Sequence, residues 1–321
     1  MHRRLCVLTC AQIFWAQGLD VLAQPGHVGT QSVWLVSSDN SAGYLEAVNS
    51  LLQAMAKSGF PAAEIRQIQA SQVQSSLSAA DDMSRQRLVV ALGVEAAQAV
   101  ATHGGASTVI CALMPRGSFQ RVLRATGRRP TSTFTALFLD QPLERQYALI
   151  RLTLPKARRL GVLLGPESVA RLPALKALAV AYGFRLTSAQ VDPVVGTFQA
   201  LGQVLSESDV LLALPDPAVF NNNSIQNILL STFRAKVPLV GFSPAYVRAG
   251  ALMSLHATPA QVGLQTAGLL QLVLNGQTLP EAAVEPDDFE VTVNAQVARA
   301  LGLELQPLTL RQALKSGRQM P

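Results

Sequence analysis

The sequence predicts an α/β protein of two similar Rossmann-like lobes, each built on a parallel sheet and joined by a multi-strand hinge. Short apolar runs with the length of buried parallel strands alternate with amphipathic stretches. The alternation also occurs twice. RLVVALGVEAAQAV followed by STVICALMP matches VLLALPDPAVF followed by VPLVGFSP. SVWLVSSDN, leading to a helix that ends at Gly59-Phe60, matches LGVLLGPES, leading to one that ends at Gly183-Phe184. No low-complexity linker separates the copies, which suits several crossings rather than one tether.

In chain order, Val33 to Ser37 is the first strand. Helix Ala42 to Lys57 carries Leu45, Val48, Leu52 and Met55 on one face. Ala62 to Ile68 reads as a strand, Ser71 to Ser84 as a helix and Leu88 to Leu92 as a strand. Helix Ala96 to His103 leads to strand Thr108 to Leu113, and Arg116 to Pro130 reads as a loop around one short helix. Thr133 to Leu139 is a strand, and Asp140-Gln141-Pro142 signals a helix start and the first crossing between lobes. Helix Leu143 to Thr153 stops before Pro155.

The second lobe then opens at Leu160 to Leu164. Helix Val169 to Tyr182 closes on Gly183. Strand Arg185 to Val191, helix Gly196 to Glu207 and strand Val210 to Leu214 follow. After a polar crest, Ile225, Leu229 and Phe233 mark an amphipathic helix before strand Pro238 to Phe242. Ala251 to Leu255 is expected to cross back, and helix Pro259 to Asn275 to return to the first lobe. Phe289 to Val293 supplies a last strand, Ala295 to Leu301 a last helix, and Thr309 to Pro321 a loosely held basic tail. The resulting division is 31–139 plus 257–293 for the first lobe, 140–256 plus 294–305 for the second, and 306–321 for the tail.

Of 321 residues, 49% are hydrophobic and 14% charged, which describes a filled core rather than a disordered chain. The net charge of +6 comes from scattered arginines, and aromatics make up 5%, so a nucleic-acid surface with clustered cations and stacking partners is not expected. His2-Arg3-Arg4, an apolar stretch and Val21-Leu22-Ala23 read as a signal peptide, residues 1–23, cleaved after Ala23. Its apolar core is too short to span a bilayer, and Val7-Leu8-Thr9-Cys10 fits a lipid-anchor site poorly. Cys6 and Cys10 leave with the signal, so Cys111 remains alone and is read as a small buried hydrophobe. His27, His103 and His256 stand far apart without carboxylate or thiol at ligand spacing, so no metal is expected. No nucleophile elbow, phosphate loop, HExxH or paired-cysteine motif appears, so neither catalysis nor a cofactor is expected.

Asp209 to Gly302 resembles the carboxyl half of ABC-transporter substrate-binding proteins, among them tryptophan and tyrosine binders. The matching pieces are LPDPAVF, Ala235-Lys236-Val237-Pro238, SPAYVRAGALMS, Gly263-Leu264-Gln265-Thr266-Ala267, Leu274-Asn275-Gly276 and FEVTVNAQVARALGL. The amino half matches mainly through VVALGVEAAQAV. The resemblance implies the periplasmic-binding-protein type I fold, a closing cleft and delivery of a ligand to a membrane permease. It puts Asp216 at the family's Asp after Pro, and Ser243 and Tyr246 in its cleft-facing segment. Two positions depart from the pattern. Val94 stands where a hydroxyl usually follows the Gly matching Gly93, and Met114-Pro115 where an Asp-Pro usually stands.

The ligand-binding candidates lie at strand carboxyl ends, where open α/β sheets hold ligands. Ser38, Asp39 and Asn40 follow the first strand; the alternative is that Asn40 or Ser41 only caps the next helix. Gly93, with Val94, offers close backbone approach or a plain tight turn. Asp140 faces the cleft at the crossing or caps the following helix. Asp216 is the strongest candidate, its alternative being a charge at a helix N-terminus. Asn222, within Asn221 to Asn223, supplies amide groups or a solvated first turn. Ser243 and Tyr246 complete the set, and Tyr246 stacks on a ligand or packs the lobe. The expectation is an exported monomer, periplasmic or extracytoplasmic, that binds a small organic ligand, amino-acid-like or related, and serves an ABC permease. A binding protein that senses a ligand for a membrane receptor, without transport, is the alternative.

Overall fold

The structure is a computed structural model and describes residues 32–79, 87–103, 108–191 and 196–317. The predicted signal peptide, with Cys6, Cys10 and His27, lies outside the described residues.

The first sheet has five parallel strands in the order β2-β1-β3-β4-β5. They are β1 (Val33–Ser37), β2 (Ile65–Gln69), β3 (Leu88–Leu92), β4 (Thr108–Met114) and β5 (Phe134–Phe138). Helices α1 (Ala42–Lys57), α2 (Val73–Ala79), α3 (Val94–His103) and α4 (Arg116–Thr126) connect them. Successive residues of β1 serve opposite faces, as a pleated strand requires. Trp34 and Val36 pack with Val100, Phe119 and Val122 of α3 and α4. Val33 and Leu35 pack with Val48 and Leu51 of α1 and with Val262 and Leu270 of a later helix (Pro259–Leu274). Burial on both faces is why β1, β3 and β5 read as nearly unbroken apolar runs, whereas the edge strand β2 is part exposed.

The second sheet has six strands in the order β11-β10-β9-β8-β6-β7. These are β6 (Arg159–Leu164), β7 (Arg185–Gln190), β8 (Val210–Leu212), β9 (Leu239–Gly241), β10 (Met253–His256) and β11 (Glu290–Val293). Its helices are α5 (Leu143–Thr153), α6 (Leu172–Ala181), α7 (Gly196–Ser206), α8 (Ile225–Ala235), α9 (Pro244–Ala249), α11 (Ala295–Ala300) and α12 (Pro307–Lys315). The Pro259–Leu274 helix, α10, lies along α1 of the first lobe. There Gly263 lets the two backbones meet: a Cβ at this position would run into the Ala47 carbonyl. Among the described residues no helix is long and apolar enough to cross a membrane.

Several sequence expectations are corrected. Phe289 to Val293 was expected in the first lobe, but β11 pairs antiparallel with β10, His256 opposite Glu290 and Met253 opposite Val293. The segment expected to cross back, Ala251 to Leu255, instead contributes an interior strand of the second sheet, and the crossing follows His256. A strand's apolar pattern fixes which faces are buried, not which sheet it joins. The return from α10 first runs along β5, where the Val284 N–H donates to the Ala136 carbonyl and its carbonyl accepts from the Phe138 N–H.

The expected loose tail is the helix α12, with Leu310 and Ala313 buried. Arg116 to Thr126 is a full helix of 11 residues ending at Gly127 with φ +67°. Phe233 is 77% exposed, because α8 buries Ile228, Leu229 and Thr232 instead. Leu45 is likewise exposed on α1, where Ala47, Val48, Leu51 and Met55 are buried. A stripe at i, i+4 and i+8 drifts about 40° per step around a helix, so its ends leave the buried face.

Candidate functional site

On the first lobe, the ends of β1 and β3 meet. The Ser38 N–H donates to the Leu92 carbonyl, and the Ser38 hydroxyl accepts from the Ala96 N–H at 2.9 Å in the first turn of α3. Gly93 stands between them with φ +91°, and its missing Cβ leaves room for the Ser38 and Tyr44 hydroxyls. This is the close approach that only glycine allows. Tyr44, a residue the sequence reading passed over, is half-buried and hydrogen-bonded to Ser38. Burial pushes its phenol up, opposed by the Ser38 hydrogen bond and reinforced by the charges of Asp39 and Glu95. Asp39 and Asn40 are exposed. Asp39 accepts from the Asn40 N–H, and the Asn40 side chain accepts from Gln69 on β2 at 2.8 Å. Ser41 is the N-cap residue of α1 but makes no side-chain cap. Val94 begins α3 and packs partly against the core.

Met114 is fully buried. The β4–β5 register shifts between Cys111 and Met114, and Leu113 adopts φ +55° within that bulge. The kink turns the Met114 side chain into the core beside Phe119 and Phe138. Cys111 is buried as expected, and burial pushes its thiol up to about 12.

On the second lobe, Asp216 is 2% exposed and its carboxylate is engaged from within its own lobe. One oxygen accepts from the Glu167 N–H, the Ser168 N–H and the Ser168 hydroxyl at 2.8–3.0 Å; the other accepts from the Ala218 N–H at 3.1 Å. Asn221 shapes the crest, its carbonyl oxygen accepting from the Asn223 and Ser224 N–H groups, while Asn222 is exposed. Ser243 precedes α9 without capping it through its side chain. Tyr246 packs at 4.6 Å from the Phe242 ring and 6.2 Å from Phe220, forming an aromatic trio beside the ends of β8 and β9. Burial pushes its phenol up to about 12.

Between the lobes, Asp140 does not cap α5, whose N-cap residue is Pro142. Its carboxylate instead accepts from the Arg116 N–H at 2.7 Å, at the start of α4, and pairs with Arg171 at 3.5 Å. Burial pushes this carboxyl up, against the pull of Arg116 and Arg171. Arg116 also binds Glu285 at 2.5 Å and lies over the Phe138 ring. Thus Asp140 and Glu285, from two crossing segments, are tied to Arg116 of the first lobe and Arg171 of the second. Nearby, Glu167 of the β6–α6 loop reaches Ser118 and Arg121 of α4. Neither Glu167 nor the arginines carried a signal in the sequence, because their partners are remote along the chain. Among the described residues, no group of three or more His, Cys, Asp or Glu is gathered as a metal ion would require.

Two mostly parallel sheets flanked by helices, with the chain crossing between them more than once, fit the two-lobed periplasmic-binding-protein type I architecture. Residues 35–316 match the family of ABC transporter substrate binding proteins. The chain belongs to that family. No curated protein sequence matches it.

Solved structures share the fold at low identity. A ligand-free, open substrate-binding protein with adhesive properties from Clostridium difficile is 19% identical, with TM-score 0.67 over 86% of this chain and 96% of that one. A conserved domain protein from Vibrio cholerae gives 20% and 0.60, over 89% of this chain and 98% of that one. An ABC domain in complex with L-Trp from Streptococcus pneumoniae gives 16% and 0.58, over 88% and 98%.

Proposed function

We propose that this substrate-binding protein is exported, takes a small organic, amino-acid-like solute between its lobes and passes it to an ABC permease. The observation that supports this most is the set of polar groups at strand carboxyl ends of both sheets, where such folds hold ligands. Ser38, Asp39, Asn40, Gly93 and Val94 would contribute from the first lobe, and Asn222, Ser243 and Tyr246 from the second. Asp140 and Asp216 would act as supports, since their carboxylates already hold Arg116 and the Glu167–Ser168 loop. A ligand would close the lobes only through contacts better made when they are together. With Val94 and buried Met114 on the first wall, the Ser38 and Tyr44 hydroxyls, the first turn of α3 and the exposed Asp39 and Asn40 are the polar groups left to meet a zwitterion.

The L-Trp in the streptococcal structure makes amino acids the first ligands to test. The experiment is a thermal-shift screen of the purified mature protein against amino acids and small organic acids, followed by calorimetry. A Tm that rises with ligand concentration is expected; a ligand at 100 times its Kd contributes about 2.7 kcal/mol. No shift and no heat with any of these solutes would sink the reading. Export is tested separately by the mass of the cell-envelope form, which should begin at Gln24. An intact Met1 form confined to the cytoplasm would overturn it.

A further inference from the structure

We propose that Glu167 is an interlobe latch, a built-in contact that holds the two lobes together at one corner without any ligand. This rests on the reading that the lobes move relative to one another, but not on what they bind. Glu167 follows β6 in the second lobe, and its carboxylate accepts from the Ser118 hydroxyl at 3.1 Å and pairs with Arg121 Nε at 3.0 Å, both on α4 of the first. The Glu167 side chain is only 10% exposed, whereas Arg121 is 53% exposed, so it is the carboxylate end of the pair that is shielded from solvent. The carboxylate also lies beside the positive end of α4.

Two further features make the contact look built rather than incidental. Gly117 lies directly against the loop: a Cβ there would stand 2.6 Å from the Glu167 Cβ and 2.9 Å from its carbonyl oxygen. Behind the loop, Asp216 fixes the Glu167 and Ser168 N–H groups, so the latch residue is presented on a braced backbone. A bare glycine on one lobe and a stiffened carboxylate on the other are what a close, repeatable contact between moving bodies needs.

The test is small-angle X-ray scattering on the ligand-free protein. Glu167→Ala and Arg121→Gln remove the pair, and Gly117→Ala inserts a steric wedge without touching a charge. Each should raise the radius of gyration, and the reversed pair Glu167→Arg with Arg121→Glu should bring it back. Should a variant fail to fold by circular dichroism, Ser118→Ala probes the same contact from the other lobe. An unchanged radius of gyration in folded variants would overturn the latch. The two readings fail separately: a silent ligand screen removes the solute and leaves the latch, whereas unchanged scattering removes the latch and leaves the solute.

Discussion

The Asp216 carboxylate fills the space that a side chain on Gly165 would need. A Cβ on Gly165 would lie 2.5 Å from one carboxylate oxygen and 2.7 Å from the other. Gly165→Ala is therefore expected to push Asp216 off the Glu167 and Ser168 N–H groups, at a cost of about 1–3 kcal/mol. Asp216→Asn keeps the volume but removes the charge from three donors on one oxygen, and should cost less than Asp216→Ala. Urea unfolding of the three variants checks the order; an unaffected Gly165→Ala would mean that the loop is not braced as described.

The α1–α10 crossing gives a contrast within one helix. Gly263→Ala forces a methyl against the Ala47 carbonyl and should destabilise by about 1–3 kcal/mol. Gly268, also in α10, has nothing within 4 Å of an added Cβ. Gly268→Ala should stabilise by about 0.5–1 kcal/mol, through helix propensity alone. Equal effects of the two substitutions on the urea midpoint would refute the close crossing.

His256 is buried at the end of β10, with Nδ1 3.3 Å from the Ser254 hydroxyl and Glu290 opposite it on β11. Burial lowers its pKa from 6.5 to about 4, so the unfolded chain takes up the proton first. The stability it contributes is present above pH 6.5 and is lost as pH falls toward 4. His256→Asn should flatten the stability profile in that window, measured by chemical denaturation across pH. A profile that keeps its slope would place the acid sensitivity elsewhere.

Asp288 anchors the C-terminal helix. Burial would raise its pKa, but the Lys315 and Phe289 N–H hydrogen bonds and Arg311, whose Nη2 donates to both carboxylate oxygens, outweigh it and hold the carboxyl down at about 2. Its contribution is present above the ordinary value of 3.8 and is lost as pH falls through about 2. Arg311 also donates to the Phe289 carbonyl at 2.7 Å. Asp288→Ala or Arg311→Ala should speed amide exchange across Pro307–Lys315 while leaving α1 protected. Unchanged exchange in α12 would show that Leu310 and Ala313 hold it unaided.

What was legible in the sequence was what local physics decides. The β1 run and the helix ends at Gly59 and Gly183 stand as read, because strand burial and left-handed glycines leave a local mark. The positions of Ser38, Gly93 and Asp216 at strand ends were also legible. Their partners were not: Tyr44 meets Ser38 through the pitch of α1, and Glu167 meets Asp216 because β6 and β8, remote in sequence, lie side by side. The pairing of β11 with β10 was hidden for the same reason, since Glu290 to Val293 fits either sheet until the path of the chain past Val284 is known. In α4, the run of arginines masked a buried stripe of Phe119 and Val122.

The crossings have a consequence for dividing the molecule. The first lobe's core is closed by Val262 and Leu270 of α10, and the second lobe's core includes Phe289 just before β11, Val291 of β11 and Leu310 of α12. Neither lobe is therefore encoded by one uninterrupted stretch. A fragment ending at Asp140 would leave Val48, Leu51 and Met55 uncovered where α10 should lie. Two halves expressed separately should recover a native structure only by reassociating, because no single cut in the chain separates one lobe from the other.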